Sequence, residues 1–225
     1  PIAQQRIIDS ALELGMPVIV ATQMLETMTV NPRPTRAEVS DISTAIRQGA
    51  TGVMLSGETA SGKYPVKSVK TMAKIAQSTE QGLDSSDLTP ESVTRYKSTR
   101  AVAHAGVELA KMAKAARILV ATEKGNAPRL VSSYRPKVPV TAVTNSVETA
   151  RKVQILPGID SIVVEEYERG SKTMQTALAL QVASGAVKPG QKIVAISGSP
   201  KAISGLTSTA RLYKVSKAGD IVGTE

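Results

Sequence analysis

Short apolar runs of four or five residues alternate along this chain with amphipathic helical stretches, and the runs end in polar corners. Pro17-Val18-Ile19-Val20 leads into Ala21-Thr22-Gln23-Met24-Leu25-Glu26. Thr51-Gly52-Val53-Met54 leads into Leu55-Ser56-Gly57-Glu58-Thr59-Ala60-Ser61-Gly62-Lys63-Tyr64-Pro65. Such alternation requires a parallel sheet, because each crossover helix returns the chain to start the next strand in the same direction. Parallel α/β folds put their chemistry at these corners, where amides at a helix start and side chains at a strand end converge. Two polar strand ends in succession predict one site assembled from adjacent loops.

Local signals mark the elements of the first portion. Ile2 to Leu14 forms an amphipathic helix stopped by Gly15, and Pro17 to Ala21 a buried strand. Asn31-Pro32-Arg33-Pro34 is a stiff turn, since two prolines fix φ and bias their predecessors to extended conformations. Thr35 and Glu38 have capping-box spacing before a helix carrying Val39, Ile42, Ala45 and Ile46 on one face. Gly49 stops that helix, Thr51 to Leu55 is the next strand, and Pro65 opens a helix continuing through Val66, Val69, Ala73 and Ile75. Two strands do not make a stable parallel sheet alone, so residues 1–82 are expected to be the end of a larger barrel or sheet. Pro1, in a helix already under way, looks like an internal cut.

The sequence turns polar from Gln81 to Ser92, and a linker is expected over 83–98. A second series then fills 99–225 as a compact α/β domain of about five strands. Its helices are expected at Arg100 to Ala115, Pro128 to Tyr134, from Val147, and at Ser171 to Ala183. Its strands are expected at Arg117 to Ala121, Pro139 to Val143, Ser161 to Val164 and Lys192 to Ile196, with Leu212 to Val215 as an edge strand.

Composition narrows the function. The 225 residues contain no Phe, Trp or Cys and five Tyr, so the core is aliphatic and no disulfide or thiolate–metal framework exists. The lack of Cys favours an intracellular chain. A net charge of +9 without a stacking platform or groove-reading motif argues against nucleic acid and for anionic metabolites. No run is apolar and long enough to span a bilayer. With one histidine and no cysteine there is no transition-metal site; a hard cation held by carboxylates remains open.

The corner residues carry alternative readings. Gly57 to Lys63 matches G-x-x-x-x-G-K, but Tyr64 replaces the hydroxyl that would hold magnesium and Pro65 disturbs the helix start, against a phosphate-cradling loop. Ser56, Gly57 and Glu58 are either a proton-handling cluster, with Gly57 admitting substrate, or a polar cap. Thr22 and Gln23, taken alone, fit an ST-turn or cap better than a binding corner. Arg33 and Arg36 pin an interface or an anion, or are solvated. His104, in an Ala-rich helix, suits packing better than catalysis. Thr122-Glu123-Lys124-Gly125-Asn126 and Gly198-Ser199-Pro200-Lys201 follow strands and offer hydroxyl, glycine and lysine groups to a phosphate. Plain turns explain them equally well.

Taken together, Ala21 to Glu26, Pro32-Arg33-Pro34-Thr35-Arg36-Ala37-Glu38 and Met54 to Ala60 resemble the pyruvate kinase family in order and spacing. Ser132-Ser133-Tyr134-Arg135-Pro136 and Ile196-Ser197-Gly198-Ser199-Pro200 resemble that family's C-terminal domain. The resemblance spans the chain, and the chain covers about half of such an enzyme. It implies the last two βα units of a (β/α)8 barrel followed by an allosteric domain. It further implies cytoplasmic, glycolytic phosphoryl transfer from phosphoenolpyruvate to ADP, giving pyruvate and ATP, with magnesium and potassium, in a homotetramer.

In that picture Thr22 resembles the threonine beside the substrate carboxylate and enolate, and Gly57 lies against substrate. Ser56 and Glu58 resemble the hydrogen-bonded pair that helps protonate the enolate. The family's phosphoryl-contacting lysine, metal ligands and nucleotide-capping domain belong to segments before Pro1, so these residues alone are expected to be inactive. The effector loops would be Thr122, Lys124 and Gly125 with Gly198, Ser199 and Lys201. Glu123 and Ala127 depart from the Ser/Thr-rich loop of members activated by fructose 1,6-bisphosphate, so a different phosphorylated effector, or none, is expected. Ser61, where many members carry lysine, likewise alters nucleotide contacts. The rival reading is a non-catalytic anion-binding regulatory α/β module.

Overall fold

The computed structural model describes residues 1–83, 97–165, 171–198 and 207–223. The chain divides into two compact units, Pro1–Ser92 and Val93–Glu225. The expected linker falls largely outside the described residues.

In the first unit, α1 (Ile2–Leu14) ends as its glycine dictates: Gly15 adopts φ 63° and its amide donates back to the last turn. Strand β1 (Ile19–Ala21) and strand β2 (Gly52–Met54) pair in parallel, with Ile19 opposite Gly52 and Ala21 opposite Met54. Between them lie a short 3-10 turn (Glu26–Thr29) and α2 (Arg36–Arg47). The capping box at the start of α2 is complete, with the Thr35 hydroxyl accepting from the Glu38 amide and the Glu38 carboxylate accepting from the Thr35 amide. A single turn, α3 (Gly57–Ala60), follows β2, and α4 (Pro65–Gln81) starts with Pro65 in its first turn.

Met24, Leu25, Met28, Ile42, Ile46 and Met72 form one buried cluster, so the segment after β1 is itself part of the core. The buried face of α4 is not its most apolar one. Ser68 and Met72 are buried, while Val66 and Val69 are 65% and 53% exposed. Ser68 fits because its hydroxyl donates to the Tyr64 carbonyl, which leaves no polar group unpaired.

In the second unit the helices are α5 (Lys97–Met112), α6 (Asn126–Ser133), α7 (Val147–Val153) and α8 (Ser171–Ala183). The strands are β3 (Arg117–Ala121), β4 (Val140–Thr144), β5 (Ile159–Val163), β6 (Lys192–Ser197), β7 (Thr209–Val215) and β8 (Ile221–Gly223). They form one six-stranded sheet in the order β5-β4-β3-β6-β7-β8. The first four strands are mutually parallel; β7 and β8 run antiparallel to their neighbours. Alternate residues feed two cores: Ile118, Val120 and Ile196 face Val107, Leu130 and Val153, whereas Leu119, Val143 and Ile193 face Met174 and Leu178.

Two expectations need correction here. Among the described residues the sheet has six strands, and β7 is not its edge. The missed strand, β8, is three residues long and returns through a turn in which the Ser216 hydroxyl accepts from the Ala218 and Asp220 amides and Gly219 takes φ 91°. Three residues are too few to show a period of two. Helix α5 also ends earlier than expected, at Met112, and Lys114 just beyond it has φ 51°.

Close packing of α5 on β6 depends on Gly106, where an added Cβ would lie 2.5 Å from Ile196 Cδ1 and 2.9 Å from Cγ1. Ile196 is fully buried and has little room to retreat. Gly106→Val is therefore expected to destabilise the second unit by about 1–3 kcal/mol, seen as a lower urea midpoint with unchanged slope.

Candidate functional site

Register brings the two corners together. The β1–β2 ladder ends at Ala21 opposite Met54, so Thr22 and Ser56 follow within two residues on neighbouring parallel strands. Thr22, Gln23 and Ser56 are exposed, and Glu58 is 2% exposed. Thr22 and Gln23 both occupy the left-handed region, with φ 73° and 55°. For a β-branched residue this is a true outlier, costing on the order of 1–3 kcal/mol, and such strain persists only where the surroundings over-determine it.

Two buried carboxylates hold the segment that follows. Glu58 Oε1 accepts from the Leu25 amide at 2.9 Å, and its Oε2 accepts from the Ser56 amide at 2.7 Å. Glu38 Oε1 accepts from the Thr27 amide at 2.7 Å; its Oε2 accepts from the Thr35 amide at 2.7 Å and the Thr35 hydroxyl at 2.9 Å. Ser56 thus meets Glu58 through its backbone N–H.

Burial alone would raise the pKa of both acids. For Glu38, donors from Thr27 and Thr35 outweigh burial and hold the carboxyl below its ordinary value. For Glu58, its own amide and those of Leu25 and Ser56 do the same, against burial and the neighbouring Glu38 charge. Both side chains are therefore fixed anions with every oxygen already accepting. Among the described residues no three His, Cys, Asp or Glu side chains gather as a metal group.

The corners also lock backbone to backbone. The Lys63 amide donates to the Thr29 carbonyl at 2.8 Å, and a Cβ on Gly62 would lie 2.7 Å from the Glu58 carbonyl oxygen and 3.1 Å from Thr29 Cα. Amides 59 to 62 donate to the carbonyls of Ser56 and Gly57. A phosphate-cradling loop would turn such amides toward its ligand, so the G-x-x-x-x-G-K match has no such geometry. Gly57 differs from Gly62: a Cβ there would meet only Thr29 Cγ2, at 3.8 Å, so packing within the unit does not demand glycine.

In the second unit, β4 and β5 lie on one side of β3 and β6 lies on the other. The order of the chain thus reverses between β3 and β6. Ligands of open α/β sheets bind in the crevice at such a switch point, beyond the carboxyl ends of the strands. The β3–β6 ladder ends at Val120 opposite Ile196, so Thr122 and Gly198 follow two residues later on adjacent strands. Thr122 is buried, and its hydroxyl oxygen accepts from the Gly125 amide at 2.8 Å. Gly125 holds φ 84° at the start of α6, Lys124 is exposed, and the Thr149 hydroxyl donates to the Glu123 carbonyl. Ser199 and Lys201 lie outside the described residues.

The remaining candidates take no part in the hydrogen bonds described above. His104 is exposed on α5 and stacks on buried Tyr134, with centroids 4.8 Å apart. Arg33 and Arg36 are exposed. Glu38 is the residue that sequence reasoning saw only as a helix cap; its reach to Thr27 leaves no local signature.

Depressed carboxylates stabilise the fold at pH values above their unfolded pKa, and that contribution is lost as pH falls through the folded values. Thermal stability is expected to fall as pH drops below about 4.5, the ordinary value of both groups. Glu58→Gln, which sets an amide NH2 against a backbone donor, should cost about 1–3 kcal/mol at neutral pH and flatten the acid limb. Differential scanning calorimetry at several pH values checks both effects.

Comparison with known proteins agrees with the two units. The family model "Pyruvate kinase, barrel domain" matches residues 1–69, and "Pyruvate kinase, alpha/beta domain" matches residues 100–213. Pyruvate kinase 2 of Synechocystis sp. is 39% identical, covering 99% of this chain and 37% of that protein. The pyruvate kinase of Clostridium acetobutylicum is 40% identical, covering 96% of this chain and 46% of that protein. The crystal structure of a pyruvate kinase from Cryptosporidium parvum superposes with a TM-score of 0.81 at 32% identity, covering 95% of this chain and 43% of that one. The chain thus spans less than half the length of these relatives. Its first unit is a segment of their barrel domain, its second their α/β domain, and the chain belongs to the pyruvate kinase family.

Proposed function

We infer that this chain is the C-terminal portion of an enzyme that transfers a phosphoryl group from phosphoenolpyruvate to ADP, giving pyruvate and ATP in cytoplasmic glycolysis. The observation that carries the reading is the pair of neighbouring strand ends, Thr22 left-handed beside Ser56, in a chain of this family. Strand ends of a barrel are where its chemistry sits.

Thr22 is the substrate-facing hydroxyl, beside the carboxylate and developing enolate. Gly57, which packing leaves free to be any small residue, keeps the approach to that hydroxyl open. The exposed Ser56 hydroxyl handles the proton that returns to carbon after transfer, and Glu58 fixes Ser56 through its amide. Phosphoryl transfer also needs cationic positioning. The lysine, magnesium and potassium that supply it are expected on segments outside this chain, so residues 1–225 alone are inactive. The switch-point crevice at Thr122, Lys124, Gly125 and Gly198, with Ser199 and Lys201, is proposed for a phosphorylated effector, and the full assembly is a homotetramer.

A lactate-dehydrogenase-coupled assay tests this. The complete polypeptide is expected to form pyruvate from phosphoenolpyruvate and ADP with magnesium and potassium, and residues 1–225 are not. Thr22→Ala in the complete polypeptide should lower kcat/KM by about 10²-fold, as loss of one preorganised charge-stabilising donor does. Wild-type rates in that variant would overturn the assignment of Thr22.

A further inference from the structure

The segment between Thr22 and Thr29 is short, strained at its start and held at two points from two different elements. Glu58, on the turn after β2, takes the Leu25 amide; Glu38, in the first turn of α2, takes the Thr27 amide. The two amides are two residues apart, and Met24, Leu25 and Met28 anchor the same stretch in the core. The second oxygen of each acid is tied down on its own element, Glu58 to Ser56 and Glu38 to Thr35. Each carboxylate therefore joins the segment after β1 to a separate piece of backbone.

We propose that Glu38 is a positioning residue for the site: with Glu58 it clamps the 25–29 turn, and the clamp holds Thr22 in its left-handed conformation at the strand end. This rests on the assignment of Thr22 above. A capping box alone needs only the Thr35 contacts, and either Glu or Gln at that position provides them. The other oxygen of Glu38, which takes the Thr27 amide, does work that no helix cap requires. Nor is the turn anchored by Glu58 alone, since that acid reaches Leu25 and Ser56 and leaves the Thr27 amide to Glu38.

The substitution Glu38→Gln separates the two roles. Its amide oxygen keeps the bond to the Thr35 N–H, so α2 stays capped, but its NH2 cannot accept from Thr27. Amide hydrogen exchange by NMR in the complete polypeptide is the direct measurement. In Glu38→Gln, the Thr27 and Leu25 amides should lose about tenfold or more of their protection, with the amides of Ile42 and Ile46 unchanged. Unchanged protection at Thr27 and Leu25, or equal loss along α2, overturns the clamp. Thr35→Ala is the control, because it removes the cap hydroxyl and leaves the carboxylate on Thr27; it should spare the Leu25 and Thr27 amides.

The kinetic arm uses the same variant. A positioning residue should lower kcat about tenfold with little change in KM for ADP; a uniform fall tracking only loss of folded protein overturns that role. If the wild-type polypeptide makes no pyruvate, the functional reading fails, while the exchange measurement still decides the clamp.

Discussion

Two carboxylates that stay charged out of water hold the first unit's site together. Burying an ionised acid is costly unless donors surround it, and here backbone amides from four positions, Leu25, Ser56, Thr27 and Thr35, supply them. For each acid one donor is local, Ser56 or Thr35, and the other, Leu25 or Thr27, lies on the segment after β1. Two successive left-handed residues, one of them threonine, stand at the strand end just before the segment these acids hold. Local preference rejects that conformation.

The second unit reaches a similar end by topology. A parallel sheet whose chain order reverses between β3 and β6 has there the switch point at which open α/β sheets bind ligands, without any specific side chain. Sequence then trims it: Thr122 closes its own loop onto Gly125, and α6 begins directly afterwards. Close packing on one sheet face, down to a glycine of α5 against Ile196, keeps the strands that border the crevice in place.

Much of this was legible in the sequence wherever the determinant was local. Gly15, the Thr35–Glu38 pair and Pro65 each act within one helical turn, and the helices begin or end where they predict. Strands buried on both faces, such as Val140–Thr144, show as unbroken β-branched and small residues. What escaped was non-local or too short. Leu25 and Glu58 are separated by 33 positions, and nothing in the sequence pairs them. The inner face of α4 follows a serine that satisfies itself on Tyr64, whereas hydropathy points to Val66 and Val69. Both corners were legible as polar strand ends; the clamp between them was not, because backbone amides leave no trace in residue identity.

The bond from Thr149 to the Glu123 carbonyl links α7 to the loop after β3. Ser146 caps that helix by accepting from the Thr149 amide, so the same residue serves the helix start through its backbone and the loop through its hydroxyl. Rotation of α7 about its own axis would pull the loop's peptide with it, and a shift of that peptide would load the first turn of the helix. A single threonine thereby couples the loop to the helix.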